Sequence, residues 1–217
     1  QIGTNDFMNF IPDNEGSFQF ILRGKLNGIT VEKPFSVQVI DPSFSIKLPE
    51  TSIQNNGNKV YPIGTPIQLK SEAKNIDAIE WKVGGTTITG TAYTFNTSGA
   101  KTITATARAK NVRLSDGTYG EYVLDSVSET ITIADAVKIS NLNVSNLIYA
   151  GELLSVSVGT TGEDAYISSL TYSVDGVIYA VKQAPIEKNI SISGLKAGSH
   201  KITVKTVDVF GKTSLME

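Results

Sequence analysis

The sequence holds few side chains that could carry out acid–base, nucleophilic or metal chemistry. Its 217 residues include no cysteine and a single histidine, His200. The lack of cysteine excludes disulfides, zinc–thiolate sites and a thiol nucleophile, and one histidine cannot form a site with several imidazole ligands. His200 follows Gly198-Ser199 at the start of an alternating segment, so we expect it at the surface or at a strand edge. We predict no catalytic residues, no metal ligands and no cofactor.

Two loop segments carry side chains that could instead contact a partner. The first, residues 110–120, is long for a hairpin connection in a small β domain, and long loops are often functional. Arg113, Tyr119 and the nearby Tyr122 could present hydrogen-bond donors and aromatic rings there. The second segment, residues 159–166, ends in Tyr166, which we expect to be exposed. The alternative for both segments is an ordinary variable loop.

The single tryptophan and two aspartates could also be functional, but the surrounding sequence favours a structural role for them. Trp81 could stack on a sugar, but Ile79 and Val83 share its face in an alternating segment, which indicates a core position. Asp41 and Asp135 could contribute to calcium binding at segment ends, but they lack the dense set of oxygen ligands that calcium needs. The acidic residues are also too scattered to predict a carboxylate pair for glycoside hydrolysis.

Composition excludes two classes of partner. Lys and Arg number 19 and Asp and Glu number 21, which gives a net charge of −2. Such a chain lacks the basic field that nucleic-acid binding requires. It also contains no apolar run of about 18 residues, so we predict no membrane insertion by this chain.

Any such site must be positioned by β-strands, because nearly every apolar segment alternates with a period of two residues. This period is typical of half-buried antiparallel strands, and the frequent Thr, Val and Ile residues suit a pleated surface. Turn signals such as Asn56-Gly57 and Asp175-Gly176 recur between the segments, which predicts an all-β sandwich architecture. The alternating segments are 17–22, 35–40, 101–107, 130–133, 153–158 and 201–207.

One outline recurs three times along the chain and divides it. The outline consists of an apolar strand end, a polar turn, a glycine followed by a small residue, and an alternating strand. Its glycine is Gly16, Gly99 or Gly198 in the three copies, and these positions are 83 and 99 residues apart. A unit of this length has the size of an immunoglobulin-like sandwich, which is about 100 residues. Two of the strands that follow end at Asp41 and Asp135, where we place the boundaries.

We therefore predict three units, namely residues 1–41, 42–134 and 135–217. Neither joint contains a flexible spacer, which favours an extended rod of tandem sandwiches. The first unit has only 15 residues before Gly16, too few for the front half of a sandwich. We expect it to be the C-terminal half of an immunoglobulin-like unit whose front half lies upstream.

Specific segments resemble known bacterial repeat domains. Residues 42–134 resemble a PKD-type immunoglobulin-like domain through residues 67–69, 79–85 and 93–107, although Val83 stands where that family has phenylalanine and the aspartate between the glycines is absent. Residues 135–217 resemble immunoglobulin-like repeats of bacterial surface proteins through residues 172–176 and 195–211. The segment that begins at Phe10 is similar to repeats of multidomain Bacteroidetes proteins.

These resemblances imply an extracytoplasmic setting, on the cell surface or secreted, and a role in adhesion, spacing or glycan handling. We expect a non-enzymatic structural or adhesion module that spaces or presents an interaction site, with a protein or glycan partner at the cell surface. The alternative is a glycan-binding accessory protein of a bacterial cell surface that uses exposed tyrosines as stacking platforms.

Overall fold

The computed structural model describes residues 11–113 and 118–217, except for the side chain of Arg113, and shows an almost entirely β chain. The predicted all-β class is confirmed. The described residues form 19 strands and one short 3₁₀ helix. The N-terminal strands are β1 (Gly16–Leu26) and β2 (Ile29–Val39).

The strands of the middle segment are β3 (Ser43–Lys47), β4 (Gln54–Asn55), β5 (Asn58–Pro62), β6 (Pro66–Gln68), β7 (Lys70–Lys74), β8 (Ala78–Val83), β9 (Thr86–Ile88), β10 (Ala92–Thr94), β11 (Gly99–Arg113) and β12 (Tyr119–Ala134). The C-terminal strands are β13 (Lys138–Val144), β14 (Leu154–Thr161), β15 (Ile167–Val174), β16 (Val177–Lys182), β17 (Asn189–Ile192), β18 (Ile202–Asp208) and β19 (Thr213–Met216), and the 3₁₀ helix is Asp164–Tyr166.

Strands β1 and β2 form a long antiparallel hairpin. The turn uses Asn27 and Gly28 with φ of 47° and 83°, which suits the right-handed twist of a two-residue hairpin loop. Register runs from Leu26 opposite Ile29 to Gly16 opposite Val39, and the rings of Phe20 and Phe35 stack at a centroid distance of 5.3 Å. Most of its apolar side chains nevertheless remain exposed.

The middle segment contains a six-stranded sheet in the order β4-β5-β12-β11-β8-β9 and two short pairs, β6 with β10 and β3 with β7. Alternation along β11 and β12 buries one row of side chains, as the sequence predicted. Trp81 lies in the core with 9% of its surface exposed, which confirms its structural role. Other buried side chains of the middle segment are Ile67, Leu69, Phe95, Ile103, Ala105, Ala107, Ile131 and Ile133.

The C-terminal segment forms two sheets, β13-β14-β17 and β16-β15-β18-β19. Their inner faces supply one core, as in an immunoglobulin-like sandwich. Tyr172 is fully buried there and donates a hydrogen bond from its hydroxyl to the carbonyl of Glu187 at 3.1 Å. Burial, and secondarily the charge of Glu187, raises the pKa of Tyr172 to about 12.

The sheets and the compact units divide the chain differently. Each sheet of the described residues draws its strands from only one of the segments 1–41, 42–134 and 135–217. Contacts group the described residues among 1–48, 69–89 and 104–129 into one unit, and those among 49–68, 90–103 and 130–217 into another. The module boundaries and the rod arrangement stay predictions.

Candidate functional site

Two of the predicted contact residues are accessible at the start of β12. Tyr119 is 72% exposed and Tyr122 is 56% exposed. Val123 beside them is also exposed, so this end of the strand offers aromatic and apolar surface. Arg113 ends β11, but its side chain lies outside the part of the chain that the structure describes. Partner contact by these residues remains a prediction.

The expectation that Tyr166 is exposed was wrong. Tyr166 lies at the end of the 3₁₀ helix and is only 4% exposed. Its ring packs beside Phe210 at 6.2 Å, and its hydroxyl accepts a hydrogen bond from the Asn55 amide at 3.0 Å. The short helix turns the ring into the core, so Tyr166 cannot act as a stacking platform.

Tyr166 belongs to a core that extends across position 135. Val60 and Ala134 are buried in the same cluster as Val137 and the inner residues of the C-terminal sandwich. The ammonium group of Lys212 also donates a hydrogen bond to the carbonyl of Ile63 at 3.3 Å. All of these residues belong to one compact unit. Asn55 and Lys212 could not be predicted as contact residues, because neither belongs to a motif and their partners are distant in sequence.

A groove of about 750 Å³ lies at one end of the C-terminal sandwich. Its apolar wall includes Leu147 and Tyr149, which are 80% and 74% exposed. Its polar wall comes from the segment before β18 and carries Lys196, His200 and Lys201. The groove therefore combines an exposed aromatic ring with basic side chains and with Glu217, which is ion-paired with Lys201.

His200 is fixed in this wall by both of its ring nitrogens. Nδ1 lies 2.7 Å from the carboxylate of Asp175, and Nε2 lies 2.7 Å from the carbonyl oxygen of Lys196. A carbonyl and an ionised carboxylate only accept hydrogen bonds, so both contacts are satisfied together only by the protonated imidazolium. The hydrogen bond to Asp175 and then that to the Lys196 carbonyl raise the pKa of His200.

Asp175 is held in its charged form in turn. The backbone N–H of Lys201 donates to its carboxylate at 2.8 Å, and this bond, followed by the one from His200, lowers the pKa of Asp175. The predicted surface position of His200 is confirmed. Its acidic partner comes from the turn after β15, whereas Asp208, the nearest acid in sequence, is buried and caps the turn that follows β18.

This arrangement leaves neither ring nitrogen of His200 free. A serine nucleophile needs an imidazole nitrogen that can accept its proton. Both nitrogens of His200 are occupied by acceptors, so it does not meet that requirement. Within the described ranges, no three His, Asp or Glu side chains are grouped so that they could hold a metal ion. Asp41 was considered above as a possible calcium ligand. Its backbone carbonyl accepts a hydrogen bond from the Asn75 amide at 3.1 Å.

Comparison with known proteins identifies no family. No family model and no curated protein matches the chain. The chain is similar to a solved structure of fibronectin(III)-like modules of Clostridium thermocellum CbhA, with a TM-score of 0.30 and 19% identity over 80% of this chain and 92% of that one. It is also similar to a structure of domains from titin, with a TM-score of 0.43 and 15% identity over 95% and 74% of the two chains. The immunoglobulin-like fold rests on the strands and sheets described above.

No helix among the described residues has the length and apolar character needed to span a membrane.

Proposed function

We propose that this chain is a non-enzymatic, extracytoplasmic structural module that spaces or presents an interaction site. The observation that carries the proposal is the core shared by residues on both sides of position 135. Val60 and Ala134 are almost completely buried together with the C-terminal sandwich, and Asn55 bonds to Tyr166 across the same boundary. A joint built into a hydrophobic core resists swivelling, because rotation would expose apolar surface to water. Such a joint suits a protein that holds two sites at a fixed separation.

The state of His200 supports the non-enzymatic part of this proposal. Both of its ring nitrogens are engaged in hydrogen bonds, and these tie the segment before β18 to the turn after β15. The resemblance to bacterial surface repeats supports the extracytoplasmic part.

The fixed joint can be tested by measuring a distance across it. Gln68 and Ser155 are exposed strand residues on opposite sides of position 135, and the chain has no cysteine to interfere with labelling. Spin labels on a Gln68→Cys, Ser155→Cys variant should give a narrow distance distribution by double electron–electron resonance spectroscopy. The same variant with a short Gly/Ser insertion after Asp135 should give a broad one. Equally broad distributions in both proteins would contradict the proposal.

Two further measurements address the other parts of the proposal. Purified chain should turn over no member of a polysaccharide and peptide panel, and robust hydrolysis would overturn the non-enzymatic assignment. Antibody against the chain should label intact source cells or bind protein in their medium. Detection only after lysis would overturn the extracytoplasmic assignment.

A second candidate function is glycan binding at a bacterial cell surface, and the exposure of Tyr119 and Tyr122 favours it. Exposed tyrosine rings are suitable stacking surfaces with a polar tip. On a glycan array, Tyr119→Ala and Tyr122→Ala should lose the signal of the wild type, whereas Leu215→Ala, which changes an exposed apolar side chain outside the groove, should keep it. An array without hits would exclude this function.

A further inference from the structure

The groove at the end of the C-terminal sandwich has an apolar floor. Leu154 and Ile202 line it, are only 4% and 8% exposed, and belong to the core of the sandwich. Leu147 and Tyr149 line it from the loop between β13 and β14 and are largely exposed. All of the lining residues belong to one compact unit. The groove volume of about 750 Å³ lies within the range of small-molecule sites, which are mostly apolar with a few polar groups.

Hydrogen bonds hold the walls of the groove in place. The backbone N–H of Tyr149 donates to the carboxylate of Glu152 at 2.9 Å, and the N–H of Glu152 donates to the carbonyl of Tyr149 at 3.1 Å. In the segment before β18, the carbonyl of Lys196 lies 2.7 Å from Nε2 of His200, whose Nδ1 lies 2.7 Å from the carboxylate of Asp175. A ligand would meet ordered backbone in both walls, which lowers the entropy cost of binding.

The charged side chains that line the groove leave one positive charge without a partner. Lys201 is ion-paired with Glu217, which also lines the groove. His200 is bonded to Asp175. Among the residues that the structure describes, none forms an ion pair or a hydrogen bond with the ammonium group of Lys196. The groove is therefore complementary in charge to a ligand with one negative group, which this ammonium would bind.

The placement of the uncharged polar side chains distinguishes between kinds of anion. Ser145, Asn146 and Ser199 line the groove but are exposed at its rim, whereas its floor is aliphatic. A sugar acid carries hydroxyl groups around its ring, and an extended peptide carries amide groups along its length. Against Leu154 and Ile202 such groups would lose water without gaining a hydrogen bond, which costs free energy. An aliphatic chain with a single carboxylate avoids this cost, because only its end is polar.

We propose that this groove binds a medium-chain aliphatic monocarboxylate, with the chain on Leu147, Leu154 and Ile202 and the carboxylate at Lys196. The carboxylate accepts hydrogen bonds from the ammonium group, and the chain covers apolar surface that is otherwise in contact with water. The proposal does not depend on the proposed function. It also differs from the glycan site considered above, because neither Tyr119 nor Tyr122 lines the groove.

An NMR titration of the full chain with straight-chain carboxylates tests the proposal. Octanoate should shift the amide signals of residues 145–150 and 195–202 in a saturable way. The dissociation constant should fall about two- to fourfold for each methylene added from hexanoate to decanoate, because more apolar surface is covered. The alcohol 1-octanol should bind more weakly than octanoate, and glucuronate should leave these signals unchanged. No octanoate shift at these residues, an affinity independent of chain length, or binding of 1-octanol or glucuronate as tight as that of octanoate would overturn the proposal.

Two matched pairs of variants test which side chains carry the interaction. Lys196→Gln should weaken octanoate binding about fivefold and leave 1-octanol binding unchanged, whereas Lys205→Gln, which changes an exposed lysine outside the groove, should bind both like the wild type. Leu147→Asp should weaken octanoate binding about tenfold, because it removes apolar contact and adds a like charge. Leu215→Asp, at a 56% exposed position outside the groove, should have no such effect. Amide spectra that are unchanged away from each substitution would show that the variants fold, and equal octanoate affinities within either pair would refute the proposal.

Discussion

Two strand pairs with the same sequence outline lie in different environments. The β1–β2 hairpin starts at Gly16 and the β11–β12 pair starts at Gly99, both glycines with positive φ, and both continue as alternating strands. In β11, Ile103 has no exposed surface, whereas Leu22 in β1 is 66% exposed. β11 and β12 lie inside a six-stranded sheet, while β1 and β2 form a two-stranded sheet of the described strands. Alternation therefore determines which side chains share a face, and neighbouring elements determine whether that face is buried.

The largest expected difference is in the free energy of unfolding, when one aliphatic side chain of each strand pair is truncated. Ile103→Ala should lower the free energy of unfolding by about 2–5 kcal/mol, because it removes fully buried methyl groups and leaves a cavity. Leu22→Ala should change it by no more than about 0.5 kcal/mol, as is usual for exposed positions. Chemical denaturation followed by circular dichroism measures both. Equal losses would show that the β1–β2 hairpin is packed as tightly as β11.

A smaller difference in stability is expected between two tyrosines that were both predicted to contact a partner. Tyr166→Phe removes the acceptor of the Asn55 amide and should lower the free energy of unfolding by about 1 kcal/mol. Tyr119→Phe, at a site that is 72% exposed, should leave it unchanged. A stability loss at Tyr119 equal to that at Tyr166 would contradict the contrast between a core tyrosine and a surface tyrosine.

The predicted and observed site differ for reasons that lie in the folded chain. The period of two indicated the strands, the buried face of Trp81 and the position of His200 before a strand, since these depend on neighbours in sequence. Tyr166 was misassigned because its ring packs beside Phe210 and its hydroxyl bonds to Asn55, and both partners are distant in sequence. The partner of His200 was missed for the same reason, since Asp175 is 25 positions away and comes from another turn.

The smallest effect concerns the pH dependence of this His200–Asp175 pair. The folded-state pKa of His200 is raised above its ordinary value of 6.5, so its contribution to stability is fully present below pH 6.5 and is lost as the pH rises through the folded-state pKa. The folded-state pKa of Asp175 is lowered below 3.8, so its contribution is present above that pH and is lost as the pH falls through the lowered value. The unfolding midpoints of the wild type and His200→Gln should therefore differ in mildly acidic solution and converge in alkaline solution.

Because His200 is the only histidine, an NMR titration of its ring reports directly on its interaction with Asp175. The apparent pKa should lie above 6.5 in the wild type and move down in Asp175→Asn, in which the neighbouring negative charge is absent. A midpoint that is the same in both proteins would show that Asp175 does not hold the imidazolium.

Native-state hydrogen exchange tests most directly the claim that one core extends across position 135. The protected amides of β5 and of residues 132–134 should exchange slowly and together with those of β14 and β18, because Val60 and Ala134 are buried in the same cluster as Val156 and Val204. Asn55→Ala should accelerate both groups by the same factor. A different result would contradict this claim: β5 and the end of β12 would exchange well before the C-terminal strands, and Asn55→Ala would leave exchange in the C-terminal strands unchanged. The two sides of position 135 would then fold as separate bodies.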